Sequence, residues 1–195
     1  MERTLYLDTS FRYLTVGITI NGEFSARTHY EAWQQQSEKT VPEIVAALAI
    51  SGIVAKDLTR IVVAIGPGSY TGVRIGLTLA KVLAHALDLP LIPLSTLRVL
   101  AGPSGFQAAI LDARSDRAYV GIYQDGKAVQ EESIMTLPEL HQWLKDHPDV
   151  RVVGDPSLVQ HPPVEVDVLA HMQALADQEV ALENVHRLKP HYLKG

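Results

Sequence analysis

Gly66-Pro67-Gly68-Ser69 is the stretch whose residue types and spacing come closest to chemistry. It follows an apolar, β-branched run, Ile61 to Ile65, and opens a long helical segment. Backbone N–H groups at a helix N-terminus attract anions, so the loop reads as a candidate phosphate cradle. The alternative is a tight strand-to-helix turn that lets the helix pack closely. GPGSYTG is neither a Walker A loop nor G-x-G-x-x-G, and Lys81 lies far down the helix. Asp8, Thr9 and Ser10 likewise stand at the end of an expected strand, followed by the bulky Phe11, Arg12 and Tyr13.

Other chemistries find no support in the residues. The chain has 8 histidines, but His141 and His147, like His186 and His191, are spaced so that neither pair shares a helical face, and H-E-x-x-H does not occur. No metal site is expected. Ser69 lacks the G-x-S-x-G spacing of a nucleophile elbow. With Cys 0 there is no thiolate, disulfide or cysteine metal site. A net charge of −5 argues against a dedicated nucleic-acid binder. MERTLYLDTS has no apolar core before a cleavage site, and no apolar run reaches membrane-spanning length, so a cytoplasmic protein without membrane contact is expected.

The element that must position the loop is the helix after it. Its polar residues Arg74, Thr78, Lys81, His85 and Asp88 fall in one stripe covering roughly 80° of arc. Everything else is apolar or glycine, well beyond the ~100° stripe that one sheet requires. A second covering is therefore expected, from this chain or another. Gly72, Gly76, Ala80 and Ala84 stack four apart as a small-residue ridge that would let another helix approach. Upstream, Val41, Ile44, Val45, Leu48 and Ala49 mark one face of an earlier helix. Ser37 or Thr40 is its expected cap, the latter in a box with Glu43, and Gly52 its stop.

Around these the chain reads β-β-β-α-β-α-β. Strands are expected at Thr4 to Asp8, Tyr13 to Ile20 and Glu23 to Tyr30, with a type I′ hairpin at Asn21-Gly22. Leu89 to Leu94 is a further strand and Thr96 to Ala101 a short helix. Gly102 to Gly105 breaks the chain, dividing it into residues 1–102 and 103–195. The second unit repeats the order: Phe106 to Asp112, Ala118 to Tyr123, a turn at Asp125-Gly126, Lys127 to Ile134, a helix capped by Thr136 and Glu139, and Val150 to Val153. It then thins out, with a modest helix from Asp167 to Asp177 and a basic tail.

Two tandem β-β-β-α-β-α units, the second abbreviated, make an α/β fold on the plan of the actin-like, sugar-kinase and Hsp70 ATPase (ASKHA) superfamily. LDTS at Leu7 to Ser10, GPGSYTGVRIG at Gly66 to Gly76, LPLIPLSTL at Leu89 to Leu97, ILDARSDRAYVGIY at Ile110 to Tyr123 and the closing PHYLK closely resemble the TsaB (YeaZ) family. In kinases and ATPases of the superfamily the turn matching Asp8, Thr9 and Ser10 holds phosphate. Those residues, with Gly66 and Gly68, are therefore the degenerate phosphate-site positions here.

The resemblance implies a non-catalytic assembly subunit for synthesis of threonylcarbamoyladenosine on tRNA. Its implied partners are the catalytic TsaD subunit, the TsaE ATPase in the assembled complex, a second copy when alone, and tRNA only indirectly. No tightly bound cofactor is expected, with ATP or ADP open only at the interface of the complex. The expected interface uses Val41, Ile44, Val45 and Leu48 of the first helix. From the second it takes Gly72, Val73, Arg74, Gly76, Ala80, Leu83 and Ala84, and Gly76→Asp or Ala80→Asp is expected to abolish pairing while sparing the fold. Arg74 either meets a partner's carboxylate or faces solvent. TsaD-type relatives carry an H-x-x-x-H metal pair where this chain reads SEKTVPEI. The competing reading is an ATP-dependent kinase or ATPase using Asp8 and the glycine loop; a glycoprotease would need a metal or nucleophile that is not found. Arg187, Lys189 and Lys194 of the tail either touch phosphates or are solvated, while Tyr192 and Leu193 are alternatively docked on the protein.

Overall fold

The computed structural model describes residues 1–182 and 184–193. Strands β1 (Arg3–Asp8) and β4 (Arg60–Ala64) are buried on both faces, as their unbroken apolar runs require. β2 (Tyr13–Ile20) and β3 (Glu23–Glu31) turn back through Asn21 and Gly22, both at positive φ (51° and 84°), the type I′ signature. With β5 (Leu91–Leu94) they form a sheet in the order β3-β2-β1-β4-β5, antiparallel through β1–β3 and parallel through β1, β4 and β5.

The second sheet repeats that plan. β6 (Phe106–Asp112) pairs antiparallel with β7 (Arg117–Gln124) and parallel with β10 (Arg151–Gly154), giving the order β10-β6-β7 with no counterpart of β5 among the described residues. The single third strand expected over Lys127 to Ile134 is split. β8 (Lys127–Ala128) and β9 (Ser133–Thr136) each pair with β7, and the intervening residues leave the ladder. Between them Glu132 turns its carboxylate inward to meet Ser95, Tyr123 and His191.

The two sheets and three helical layers stack as five layers. α1 (Gln36–Ile50) and α2 (Tyr70–Leu87) cover the outer face of the first, and α4 (Leu137–Asp146) that of the second. Between the sheets lie α3 (Thr96–Ala101) and α5 (Val168–Ala176). α5, assigned by sequence to the second unit, packs Leu169, Met172 and Leu175 against Tyr6, Val62 and Ile92 of the first sheet. α3 sends Leu97 and Ala101 to the second sheet. The sequence boundary near residue 102 therefore marks a change of sheet, and the helices on either side of it are shared.

Capping follows the sequence where a hydroxyl precedes the helix. Ser69, Ser95 and Thr136 cap α2, α3 and α4, the last with the expected box to Glu139. α1 departs: it starts at Gln36, and neither Ser37 nor Thr40 caps it. Gln36 is buried with Nε2 donating to the Phe11 carbonyl (2.9 Å), and Thr40 donates back to the Gln36 carbonyl one turn earlier. A tertiary anchor replaces the cap, and Pro42 sits within the helix.

Candidate functional site

Of the five degenerate phosphate-site positions, Asp8 and Ser10 bond each other, Gly68 lies against the Ser10 carbonyl, and Thr9 and Gly66 are engaged by α2 and Thr96. Asp8 is buried, and its Oδ1 accepts from the Ser10 N–H (2.7 Å) and hydroxyl (2.5 Å). The Ser69 N–H donates to the Ser10 carbonyl (2.7 Å), and Ser69 Oγ accepts from Gly72 N–H (3.2 Å). Gly66 exchanges hydrogen bonds with Thr96, through its N–H to the hydroxyl (3.1 Å) and its carbonyl from the N–H (2.9 Å). A Cβ on Gly68 would strike the Ser10 carbonyl, so this glycine is a close-approach residue.

Thr9 explains the two glycines of α2. Its hydroxyl donates to the Gly72 carbonyl (2.7 Å) and accepts from the Gly76 N–H (2.9 Å), the pair that an α-helix joins four residues apart. A side chain enters the helix backbone there because neither position carries a Cβ. This welds the end of β1 to α2 inside the helix, one turn beyond its N-terminus.

Burial without a cation pushes the Asp8 carboxyl up from its ordinary value, against the Ser10 hydrogen bonds and the weaker attraction of His29. A raised carboxyl pKa means that the folded state holds its proton more tightly. Stability then falls as pH rises from the unfolded value through the folded one. Asp8→Asn keeps an oxygen for Ser10 and is expected to remove that limb from urea unfolding followed as pH is raised from about 3.8. An unchanged limb would show that Asp8 is not its source.

Beside the weld, Phe11, Arg12, Trp33, Tyr70, Arg114 and Tyr119 line a cleft of about 620 Å³ between the sheets. Arg12 crosses it to Asp155 (2.7 Å), with its guanidinium 4.7 Å above the Phe11 ring. Burial nevertheless outweighs Arg12 and raises the Asp155 carboxyl. Among the described residues no three His, Asp or Glu side chains converge as a metal site. None of the described helices is long and apolar enough to cross a membrane.

The helix face differs from the expected one. Gly72, Val73, Gly76, Ala80 and Ala84 are buried in this chain's own core, and so is Ile44. The small-residue ridge brings α2 onto β1, not onto another helix. Val41 (48%), Val45 (59%) and Arg74 are exposed as the interface reading requires, and Leu48 and Leu83 are half-buried. Sequence reasoning missed Tyr70 and Val82, which are 58% and 57% exposed, and the half-exposed Ile75 and Leu79. The Thr9–Gly72 contact fixes the phase of α2, and the glycines signalled it once read as room for a strand end.

The polar stripe of α2, not its apolar excess, is covered from within the chain. Lys81 Nζ donates to the His186 (3.1 Å) and Leu188 (2.9 Å) carbonyls, His85 packs on His186, and Arg74 Nε donates to the Tyr192 hydroxyl (3.0 Å). The His191 N–H donates to the Ile65 carbonyl (2.8 Å), and Leu193 packs against the cluster of Leu97, Leu111 and Tyr123. Of the tail cations, Lys194 lies outside the described residues. The apolar side of α2, with Val41 and Val45 of α1, stays uncovered.

Known proteins share this arrangement. The family model for TsaD, tRNA N6-adenosine threonylcarbamoyltransferase, matches residues 30–142, from the end of β3 into α4. A Bacillus subtilis protein named tRNA threonylcarbamoyladenosine biosynthesis protein TsaB is 34% identical over 97% of this chain and 93% of its own length. The Escherichia coli protein of that name is 34% identical over 63% of this chain and 55% of its own length. The solved structure of YeaZ from Pseudomonas aeruginosa superposes with a TM-score of 0.81 at 24% identity, covering 99% of this chain and 100% of that one, which carries the fold. On the GPGSYTGVRIG loop and helix, the repeated strand order and near full-length identity to a named relative, this chain belongs to the TsaB (YeaZ) family.

Proposed function

We propose that this protein is a non-catalytic assembly subunit in the synthesis of threonylcarbamoyladenosine on tRNA, docking TsaD through the apolar side of α1 and α2. The observation carrying the reading is the uncovered set Val41, Val45, Tyr70 and Val82, with Ile75 and Leu79 between them. Each large apolar side chain left in water forgoes about 1.5–3 kcal/mol, and a contiguous patch of them ordinarily marks an interaction site. The bonds that tie Asp8 to Ser10 and Thr9 to α2 support a subunit without chemistry of its own. So does the start of α1, where SEKTVPEI supplies no histidine for a metal. In this reading a second copy covers the face when TsaD is absent. TsaE joins the assembled complex, ATP or ADP sits only at the interface of that complex, and tRNA is met indirectly. The setting is the cytoplasm.

Light scattering of the chain alone and mixed with TsaD from the same organism tests this. The expected result is a dimer that exchanges into a heterodimer, with both species lost in Val82→Asp while the thermal midpoint is retained. A monomer in both samples would defeat the reading. ATP turnover by the isolated chain, abolished by Asp8→Ala, would instead establish the kinase alternative.

A further inference from the structure

Arg74 is held in place at the edge of the apolar face. Its guanidinium carbon lies 4.0 Å above the Tyr70 ring centre, and its Nε donates to the Tyr192 hydroxyl (3.0 Å). Tyr70 and Tyr192 stack with ring centroids 5.6 Å apart and planes 18° from parallel. Tyr192 is carried by the strap from Asn184 to Leu193, fastened at His191 and along Lys81. With Nε engaged, the terminal Nη groups remain as a planar fork that matches a carboxylate. Among the described residues no carboxylate lies within ion-pair distance of Arg74. Arg74 also lines a groove of about 490 Å³ with Ser37, Val41, Tyr70, Ile75 and Leu79.

These contacts bear on what the face accepts. A partner laid over Ile75, Leu79 and Val82 also removes water from Arg74. A guanidinium taken out of water without an acceptor is unfavourable, so a partner offering a carboxylate is favoured over a purely apolar one. Tyr70 and Tyr192 restrict the arginine before binding, which lowers the entropy lost on docking.

We propose that Arg74 is the ionic anchor of the α1–α2 face, receiving a carboxylate of TsaD, and that Tyr192 is the positioning residue that holds it. The inference rests on the reading that this face docks TsaD. It adds a specificity element drawn from the far end of the chain, so the strap and the docking face act together.

Calorimetric titration of TsaD with the wild-type chain and variants, at low and high salt, tests it. Arg74→Gln is expected to weaken binding about tenfold or more and to flatten its salt dependence, with Arg74→Lys recovering part of the loss. Tyr192→Phe is expected to weaken binding about threefold through a less favourable entropy, and to have no effect in the Arg74→Gln background. A merely structural tyrosine would cost the same in both backgrounds. If Arg74→Gln binds as tightly as wild type with the same salt slope while Val82→Asp abolishes binding, the anchor is overturned and the docking reading stands. If TsaD binding is absent, or survives Val82→Asp, both fail.

Discussion

Gly76→Asp is expected to prevent folding, the opposite of the surface change that its place in the α2 ridge suggests. A Cβ at Gly76 would lie 2.5 Å from Thr9 Oγ1 and 3.8 Å from Leu7 Cγ, inside the weld between β1 and α2. The carboxylate beyond it would extend from a buried position against Thr9 and Leu7. Overpacking alone costs about 1–3 kcal/mol, and an unpaired buried charge adds several more. That sum is comparable with the whole stability of an ordinary domain. Gly76→Ala isolates the steric part and is expected to lower stability by about 1–3 kcal/mol in urea unfolding. Thr9→Ala removes the hydroxyl from the collision, so the penalty of Gly76→Ala is expected to shrink in its background. That coupling is what a double-mutant cycle measures. Equal penalties with and without the Thr9 hydroxyl would mean that it does not set the approach of α2.

The same contact explains how much of the site was legible in the sequence. The glycine loop, α2, the Asn21-Gly22 hairpin and the repeated strand order were all readable, because turn chemistry and apolar runs are local signals. The phase of α2 was not. Gly72, Gly76, Ala80 and Ala84 show that something comes close, but spacing along a helix does not say whether that is a helix or a strand end. Thr9 decides it from 63 and 67 positions away. Once the ridge turns inward, the apolar excess of α2 moves to Tyr70, Ile75, Leu79 and Val82, the face on which docking is proposed. The expected caps of α1 failed for a similar reason: Gln36 is fixed by the Phe11 carbonyl, a partner 25 residues upstream. The covering of the polar stripe by the chain's own end carried no local signal, since Lys81 grips main-chain carbonyls that any sequence could offer.

Glu132→Ala is expected to cost about 3 kcal/mol or more of stability and to loosen the strap, because its carboxylate is the shared acceptor of Ser95, Tyr123 and His191. These donors come from the start of α3, from β7 and from the strap, so the loss strikes elements on both sheets at once. Burial alone would raise the carboxyl, but the His191, Ser95 and Tyr123 donors together hold it below the usual carboxylate range. The hydrogen bond to Glu132 raises His191 above its ordinary value, against the opposing effect of burial. The signs define a window. A depressed carboxyl contributes stability above its unfolded value of about 4.5, lost as pH falls through the lower folded value. A raised histidine contributes below its unfolded value of about 6.5, lost as pH rises through the higher folded one. Both contributions are complete only between those limits. The stability difference between wild type and Glu132→Ala, read from urea unfolding across pH, is therefore expected to be largest there and to decline on either side. His191→Gln should abolish the alkaline decline and leave the acid one. Because His191 is 40% exposed, water screens its share, and the alkaline limb is the smaller of the two. If the difference is flat across pH, the His191–Glu132 contact is not an ion pair, and the strap is held by its main-chain bond to Ile65 and by Lys81.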